Sequence, residues 1–460
     1  MATLAAPSRV DTDSILREGK HYVLDEYALK TEMYGKVQKA FLDGIELYAG
    51  KDARRNVERD GLAKMHKHFP ASKLLLFEDF LMKTLQRDLF YWSYRVGRDD
   101  LGLEGTFYVD HLIVMRIYYP FLVARETKTV EKPKFPIWEK ARLGMAALRN
   151  WKLLVNFVTR AREARRARSE YSPETYHKRL PEVARAHGAH IDTWYGHSYD
   201  GINLWWSIDG VNDDNTVILY PGMFGYQYPF DPVSMYLAEG VPVTEPHKIR
   251  IKPGELLVFN PETLHGTHVN ISDDTRIVIT TRLNPGQPRF DLNAVWNFEH
   301  WYSSDDLEKR RFSSVTVFPA KDNRGTPSFE FKPGKPAPET RVIEVAGSLA
   351  GSLAGGEPLR VCASSEIAEG DKVAVNAGGE KLMLFRIDGK LKAVSRICPH
   401  LNFDMYAAYS DDSKLYCPGH GVAFSNQDGS SRCKAFSLEV FEATERDGSV
   451  FLTQNAAQHG

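Results

Sequence analysis

The chain has 460 residues, of which 43% are hydrophobic and 26% are charged, and its formal net charge is −1. This is an ordinary composition for a soluble globular protein of roughly two to four domains. The balanced charge gives no general attraction to nucleic acid or to an anionic membrane. Four cysteines are too few for a disulfide framework, the first residues lack the basic and apolar regions of a secretory signal, and no run reaches the roughly 18 apolar residues of a membrane span. We therefore expect a cytoplasmic protein that binds neither nucleic acid nor membrane.

The first part of the chain has a helical pattern. Apolar residues recur at three- and four-residue spacing over 26–48 and again over 71–95. A strand is predicted over 107–119, where Pro120 ends it. We assign residues 1–104 to a helical region that packs on the domain that follows.

A basic segment comes next. Between Glu139 and Arg168 the chain has nine Lys and Arg but only two acidic residues, and the pattern predicts a helical insertion over 138–187. Its basic surface could dock an acidic partner or an anionic substrate. It could equally be a solvated face above an apolar stripe, and both interpretations stay open.

Short strands separated by turn signals follow from residue 188 to residue 283, a pattern typical of a sandwich or barrel. The predicted strands are 204–208, 217–220, 249–252, 256–259 and 276–282.

One possible metal site lies within these strands. His190 and Asp192 would point to the same face of a strand, and His265, at a distant break between strand and loop, is the best third ligand. Two histidines and one carboxylate form the facial triad of non-haem Fe(II) oxygenases, which leaves coordination positions open for other ligands. Other histidines nearby are rival ligands: His197, with Asp200 as its carboxylate, His247 and His268.

This region resembles the phytanoyl-CoA dioxygenase family of Fe(II)/2-oxoglutarate oxygenases. The motifs that carry the resemblance are His190-x-Asp192, Leu204-Trp-Trp-Ser-Ile-Asp-Gly210, Asn215-x5-Pro-Gly222, Leu264-His-Gly-Thr267 and Arg276. The resemblance implies a double-stranded β-helix, or jelly roll, over residues 105–345.

The same resemblance implies that Fe(II) is bound by His190, Asp192 and His265, which makes these the catalytic residues. It also implies that Arg276 and Thr267 bind the distal carboxylate of 2-oxoglutarate. A planar guanidinium suits a buried carboxylate, and Arg282 is a second candidate for this role. The expected reaction is hydroxylation or desaturation of a small organic substrate with O₂.

A second metal-binding pattern lies near the C-terminus, after a linker of small residues at 346–357. Cys398-x-His400 and Cys417-x-x-His420 are two pairs of ligands that suit a zinc ion or an iron–sulfur cluster. The prolines and glycines around them favour the cluster, because they allow two loop tips to wrap closely around an inorganic core. Residues 358–460 resemble a Rieske ferredoxin domain, which implies an all-β fold and a [2Fe–2S] cluster bound by one Cys and one His from each loop.

The complete prediction is an α+β multidomain protein with two kinds of iron site. The first hypothesis is a 2-oxoglutarate-dependent dioxygenase whose Rieske cluster keeps the mononuclear iron in the Fe(II) state. The second is an oxygenase driven by NAD(P)H-derived electrons without 2-oxoglutarate, and the third is a non-catalytic redox protein. The enzymes imply a ferredoxin reductase or NAD(P)H reductase as partner. If the linker prevents the cluster from approaching the mononuclear iron of the same chain, the cluster of a neighbouring subunit in a homo-oligomer could serve that iron.

Overall fold

The computed structural model describes most of the chain outside the predicted insertion and linker. The described residues are 10–25, 30–127, 131, 186–231, 234–291, 300–312, 315–319, 322–334, 340–346, 358–377, 379–400, 402–433 and 435–454. Residues 138–185 of the basic insertion and 347–357 of the linker lie outside this set, so the predictions made for them stay predictions.

The helices of the described residues lie mainly before residue 100. They are α1 (Thr12–Glu18), α2 (Gly35–Ala49), α3 (Lys51–Asp60), α4 (Leu74–Arg95), α5 (Phe121–Ala124) and α6 (Ser304–Glu308). The two long helices α2 and α4 are those that the apolar spacing predicts. They pack through Phe41 and Phe77, whose rings lie 5.3 Å apart in an edge-to-face arrangement. Among the described helices, none is both long enough and apolar enough to cross a bilayer.

Two sheets pack with the helices. Their strands are β1 (Tyr22–Leu24), β2 (Tyr108–Asp110), β3 (Val114–Tyr118), β4 (Ile202–Asp209), β5 (Val217–Leu219), β6 (His247–Lys248), β7 (Leu256–Phe259), β8 (His265–Thr267), β9 (Arg276–Asn284), β10 (His300–Ser303) and β11 (Thr316–Val317). The larger sheet has the order β1-β7-β4-β9-β2-β10-β11, with β3 also paired to β9, and the smaller has the order β6-β5-β8.

The alternation of side chains along the strands determines what each face of the larger sheet contacts. On the inner face, Trp205 and Val278 join Val217 and Leu219 of the smaller sheet in one apolar cluster. On the outer face, Trp206 stacks on Trp92 of α4 with ring centroids 4.5 Å apart. The larger sheet is therefore held between the helices and the smaller sheet.

Two strand predictions differ from the structure, and one strand of the larger sheet was not predicted. The strand predicted over 107–119 is broken between β2 and β3, where the Asp110 carboxylate accepts a hydrogen bond from the backbone N–H of Leu112. The strand predicted at 249–252 lies instead at His247–Lys248. A strand from the N-terminal region, β1, pairs with β7 and so belongs to the larger sheet.

The C-terminal part of the chain is all β. Its strands are β12 (Val342–Val345), β13 (Leu359–Ala363), β14 (Lys372–Ala377), β15 (Glu380–Ile387), β16 (Lys390–Ser395), β17 (Lys414–Tyr416), β18 (Ala423–Ser425), β19 (Val440–Arg446) and β20 (Ser449–Gln454). The main sheet has the order β12-β14-β15-β16-β19-β20-β13, and β17 and β18 form a separate hairpin. Strand β12 pairs with β14 in this sheet, although the sequence prediction placed it before the linker.

Candidate metal centres

The structure brings His190, Asp192 and His265 together. Their ligand atoms lie within 4.8 Å of one another, and all three residues are buried. Asp192 Oδ1 lies 3.5 Å from His190 Nε2 and 3.8 Å from His265 Nε2. His190 and His265 reach this position through a β-bridge between them, and Asp192 opens a 3₁₀ turn instead of continuing a strand.

The surrounding hydrogen bonds direct one atom of each residue towards the common centre. His190 Nδ1 contacts the Gly188 carbonyl at 2.7 Å, and His265 Nδ1 contacts the Thr263 carbonyl at 2.8 Å. If each Nδ1 donates to its carbonyl, each Nε2 keeps the lone pair that a metal needs, as is usual for metal-binding histidines.

Asp192 is oriented in the same manner. Its Oδ2 accepts hydrogen bonds from Asn203 Nδ2 at 2.8 Å and from Arg282 Nε and Nη2 at 3.1 and 3.0 Å. Oδ1 is thus left to face the two imidazoles. Three protein ligands on one side of a small space match the donor set of a non-haem Fe(II) site.

The electrostatics of the site favour the ligand forms of these residues. Burial by itself would raise the pKa of Asp192, but the Arg282 guanidinium and the His265 imidazole hold it well below its usual range. Burial and the nearby His190 lower the pKa of His265 to about 3. At neutral pH the site therefore offers a carboxylate and a neutral imidazole, the forms that bind metal.

The rival ligands have other surroundings. Asp200 is bound by Arg289 and accepts a hydrogen bond from the backbone N–H of Ser328. His197 faces Asp110, with 3.8 Å between Nδ1 and Oδ2, and His247 lies at an exposed position on β6. Within the described residues, neither histidine joins a group of three ligand atoms.

Two arginines could bind an anion, but of the two only Arg116 is among the residues that line the cavity at the candidate triad. Arg116 lines a cavity of about 40 Å³ together with the three triad residues and Thr267. Arg276 is fully buried, donates to the carbonyls of Asn215 and His268, and places its guanidinium over the Tyr118 ring. Among the described residues, neither arginine has a carboxylate within ion-pair distance. Arg282, which sequence reasoning offered as a second clamp, instead pairs with Asp192.

The two loops with the Cys–His pairs meet at the tip of the C-terminal domain. Cys398, His400, Cys417 and His420 are all buried, and the two imidazole rings lie 4.8 Å apart at nearly a right angle. Of the described residues, only the His190, Asp192 and His265 group places three ligand atoms within 4.8 Å of one another. In the two loops the Cys417 thiol is in hydrogen-bond contact with Cys398 and the two imidazoles face each other, so the loops offer a pair of thiols and a pair of imidazoles, the donor set of a Rieske cluster.

Burial raises the pKa of the Cys417 thiol well above its usual range, the nearby Cys398 adds to this, and backbone N–H groups of Gly419 and His420 act in the opposite direction. A metal centre would compensate for burying thiolates here. The first loop is held by Arg396, which forms a two-point ion pair with Asp404 at 2.8 and 3.2 Å. The four residues thus fit a cluster with two irons.

Comparison with known proteins identifies the domain to which the two Cys–His loops belong. The family description of the Rieske [2Fe-2S] domain matches residues 357–440. These residues form a Rieske domain. A [2Fe–2S] cluster and a role in electron transfer follow from this assignment.

Curated relatives match the same region. The ferredoxin component of the naphthalene 1,2-dioxygenase system of Pseudomonas putida is 29% identical over 82 residues, which are 18% of this chain and 79% of the relative. The 3-phenylpropionate/cinnamic acid dioxygenase ferredoxin subunit of Escherichia coli K12 is 25% identical over 103 residues, 22% of this chain and 96% of the relative. These matches lie in the C-terminal part, so the resemblance of the N-terminal part to an oxygenase family stays a prediction.

Among solved structures, the ferredoxin of carbazole 1,9a-dioxygenase from Nocardioides aromaticivorans IC177 is similar to this chain. The identity is 17%, the TM-score is 0.21, and the match covers 22% of this chain and all of the ferredoxin.

Sequence reasoning missed several residues of these sites. Asn203 orients Asp192, Arg116 lines the cavity, and Tyr236 lies against His190 with ring centroids 6.3 Å apart. Asn203 is a polar residue on the inward face of an otherwise apolar strand, and this exception in the sequence pattern could have indicated a residue of the site. Arg116 and Tyr236 come from distant segments, and only the fold brings them to the site.

Proposed function

We propose that the chain is a non-haem iron oxygenase that couples 2-oxoglutarate decarboxylation to hydroxylation or desaturation of a small organic substrate. The observation that carries this proposal is the convergence of His190 Nε2, His265 Nε2 and Asp192 Oδ1, each fixed by a hydrogen bond to its other polar atom. In this proposal the two-sheet domain, predicted over residues 105–345 but without β12, is a jelly roll. Fe(II) bound at the triad supplies the oxygen chemistry, and the protein residues bind, orient and shield the reactants.

Two arginines that have no carboxylate partner among the described residues support a dianionic co-substrate. Burying a guanidinium without a counter-ion is costly, and burial already lowers the pKa of Arg276 to about 10. Arg116 presents a second cation directly to the cavity, where it contacts His187 Nε2 at 2.7 Å and Thr280 Oγ1 at 3.4 Å. A dicarboxylate such as 2-oxoglutarate would offset one or both charges, and Thr267 stands on the cavity wall as a further hydrogen-bonding group.

The first experiment measures succinate released and 2-oxoglutarate consumed by iron-loaded protein under air. We expect equal amounts of the two, and release that disappears in His265→Ala. No consumption of 2-oxoglutarate, with iron bound at the triad, would contradict the proposal.

A pair of variants identifies the carboxylate clamp. Arg116→Gln removes the guanidinium and its charge, whereas Arg276→Lys keeps the charge but loses the planar guanidinium fork. The variant that removes the clamp should raise KM for 2-oxoglutarate about 10-fold or more, since a hydrogen bond between charged groups contributes about 1.5–3 kcal/mol. Arg289→Gln, which changes an arginine paired with Asp200, is the matched control and should leave this KM unchanged.

A second candidate function is an oxygenase driven by NAD(P)H-derived electrons without 2-oxoglutarate, with Arg276 facing a substrate carboxylate. It is favoured by the Rieske domain, because a 2-oxoglutarate cycle is already balanced in electrons, and by the ferredoxin relatives of dioxygenase systems. Product formation that requires NAD(P)H and a reductase, with no succinate released, would select this candidate. Under the first candidate, the cluster returns iron to Fe(II) after unproductive turnover.

A further inference from the structure

The tip of the Rieske domain is docked on the candidate triad of the same chain. The backbone N–H of Ala189, the neighbour of His190, donates to the carbonyl of Pro418, the neighbour of Cys417, at 3.3 Å. The backbone N–H of Val269 donates to the carbonyl of His420 at 3.0 Å. The second cluster loop is thus hydrogen-bonded to both segments that carry the triad histidines.

This contact requires a glycine at position 188. A Cβ atom there would lie 2.8 Å from the carbonyl oxygen of Gly419 and 2.8 Å from the Tyr236 ring, closer than Cβ atoms approach other atoms. Gly188 therefore allows the cluster loop and Tyr236 to approach the triad at the same point.

Tyr236 lies between a cluster residue and a triad residue. Its ring centroid is 6.0 Å from that of His420 and 6.3 Å from that of His190. The two histidines are thereby joined by one aromatic side chain. Tyr195 also contacts His190, with 5.2 Å between the ring centroids.

Contacts around the tip hold this arrangement in place. Arg432 pairs with Asp214 at 3.0 Å, and the backbone N–H of Asp404 donates to Glu239 Oε1 at 3.2 Å. Both Rieske histidines are nearly fully buried, with 3% and 5% of their surface exposed. In this docked arrangement, a separate electron acceptor cannot reach the imidazole edge of the cluster.

We infer that the Rieske domain delivers its electron to the triad of its own chain, and that Tyr236 and the Ala189–Pro418 hydrogen bond set the coupling between the two centres. This inference rests on the proposed binding of iron at the triad. Tyr236 is a positioning residue, because it acts through the two histidines. A neighbouring subunit is not needed for the transfer.

The transfer is a one-electron exchange. A reduced cluster on the two Rieske loops would lose one electron and a ferric ion held by the triad would gain it, with no bond or proton exchanged. A flavin-containing reductase that draws on NAD(P)H would reduce the cluster again.

The test follows cluster re-oxidation in the full-length protein, with ferric iron at the triad and no 2-oxoglutarate present. A flash-activated deazaflavin injects less than one electron per chain, and the visible absorbance of the cluster reports its oxidation state. We expect re-oxidation with a rate constant that does not change with protein concentration. Zinc in place of iron at the triad should abolish it.

Three variants test the role of Tyr236. Tyr236→Leu removes the ring and should slow re-oxidation about tenfold or more, whereas Tyr236→Phe keeps the ring and the rate. Tyr226→Leu, the matched control, removes a tyrosine ring that packs on Tyr228 instead, and should leave the rate unchanged. Cluster absorbance and iron content confirm that each variant is loaded.

The outcomes separate this inference from the proposed function. A rate proportional to protein concentration, or equal rates in wild type and Tyr236→Leu, overturns the inference. Fast first-order transfer without 2-oxoglutarate consumption under air overturns only the 2-oxoglutarate proposal. Absence of iron at the triad overturns both.

Discussion

At the scale of single residues, Asp192 shows how hydrogen bonds prepare a metal ligand. Asn203 and Arg282 hold one carboxylate oxygen, and the other oxygen faces the two imidazoles. The carboxylate is thus fixed before any metal arrives, so less orientational freedom is lost on binding.

Asn203→Ala tests this arrangement. The variant removes one of the donors to Asp192 Oδ2 but keeps Arg282, so the fold should survive while Fe(II) affinity falls about 10- to 100-fold. Anaerobic titration with Fe(II), followed by calorimetry, measures the change. Asn284→Ala is the control, because Asn284 is an equally buried asparagine whose amide donates to the Gly286 carbonyl instead. Equal affinity in wild type and Asn203→Ala would contradict this role.

Part of this site could be predicted from the sequence, and part could not. The pairing of His190 with Asp192 follows from their separation by one residue, although the structure uses a bridge and a 3₁₀ turn instead of a strand. The role of Arg282 could not be deduced from the sequence, because an arginine at an inward-facing strand position can either bind an anionic co-substrate or donate hydrogen bonds to a carboxylate that binds the metal. Its partner is decided by the register of β4 against β9, which pairs Asn203 with Arg282.

At the scale of elements, the helical layer depends on close packing between α2 and α4. Gly44 on α2 faces Phe77 and Phe80 of α4, and a Cβ at position 44 would lie 2.6 Å from the Phe77 ring. This contact allows the two helices to approach closely, and it offsets the low helix propensity of glycine.

Gly44→Ala should lower the free energy of unfolding by about 1–3 kcal/mol, because overpacking exceeds the gain in helix propensity. Gly35→Ala on the same helix has open space around its Cβ and should be neutral or stabilising. Urea unfolding followed by circular dichroism compares the two. A Gly44→Ala protein as stable as Gly35→Ala would show that the helices can separate at little cost.

The periodicity of α2 and α4 was sufficient to predict both helices, since each has a long apolar stripe. The short strand β6 was misplaced by a few residues, because a two-residue strand carries too little pattern to fix its position. The strands β1 and β12 were not predicted, for a different reason. Each pairs with strands distant in sequence, and pairing partners cannot be read from local alternation.

At the scale of the whole molecule, the Rieske tip and the candidate triad share one interface within a chain. The sequence suggested two iron sites but left open whether a neighbouring subunit was needed to bring them together. The contacts of Ala189 with Pro418 and of Val269 with His420 bring the two sites together within one chain.

Gly188→Ala tests the interface. The added methyl group would meet the Gly419 carbonyl, so the cluster loop should move away and amide hydrogen exchange should increase at residues 187–190 and 418–421. Gly286→Ala, at a glycine with open space, is the control and should leave the exchange unchanged. Unchanged exchange in Gly188→Ala would mean that the loop does not rest on this surface in solution.

We expect one chain to carry two chemically different iron sites. Mössbauer spectroscopy of the anaerobic protein enriched in ⁵⁷Fe distinguishes them. We predict signals from a [2Fe–2S] cluster with unequal irons and a separate high-spin ferrous signal; His265→Ala should remove only the ferrous signal, and Cys417→Ala only the cluster. A single class of iron, or a ferrous signal that survives in His265→Ala, would contradict the claim.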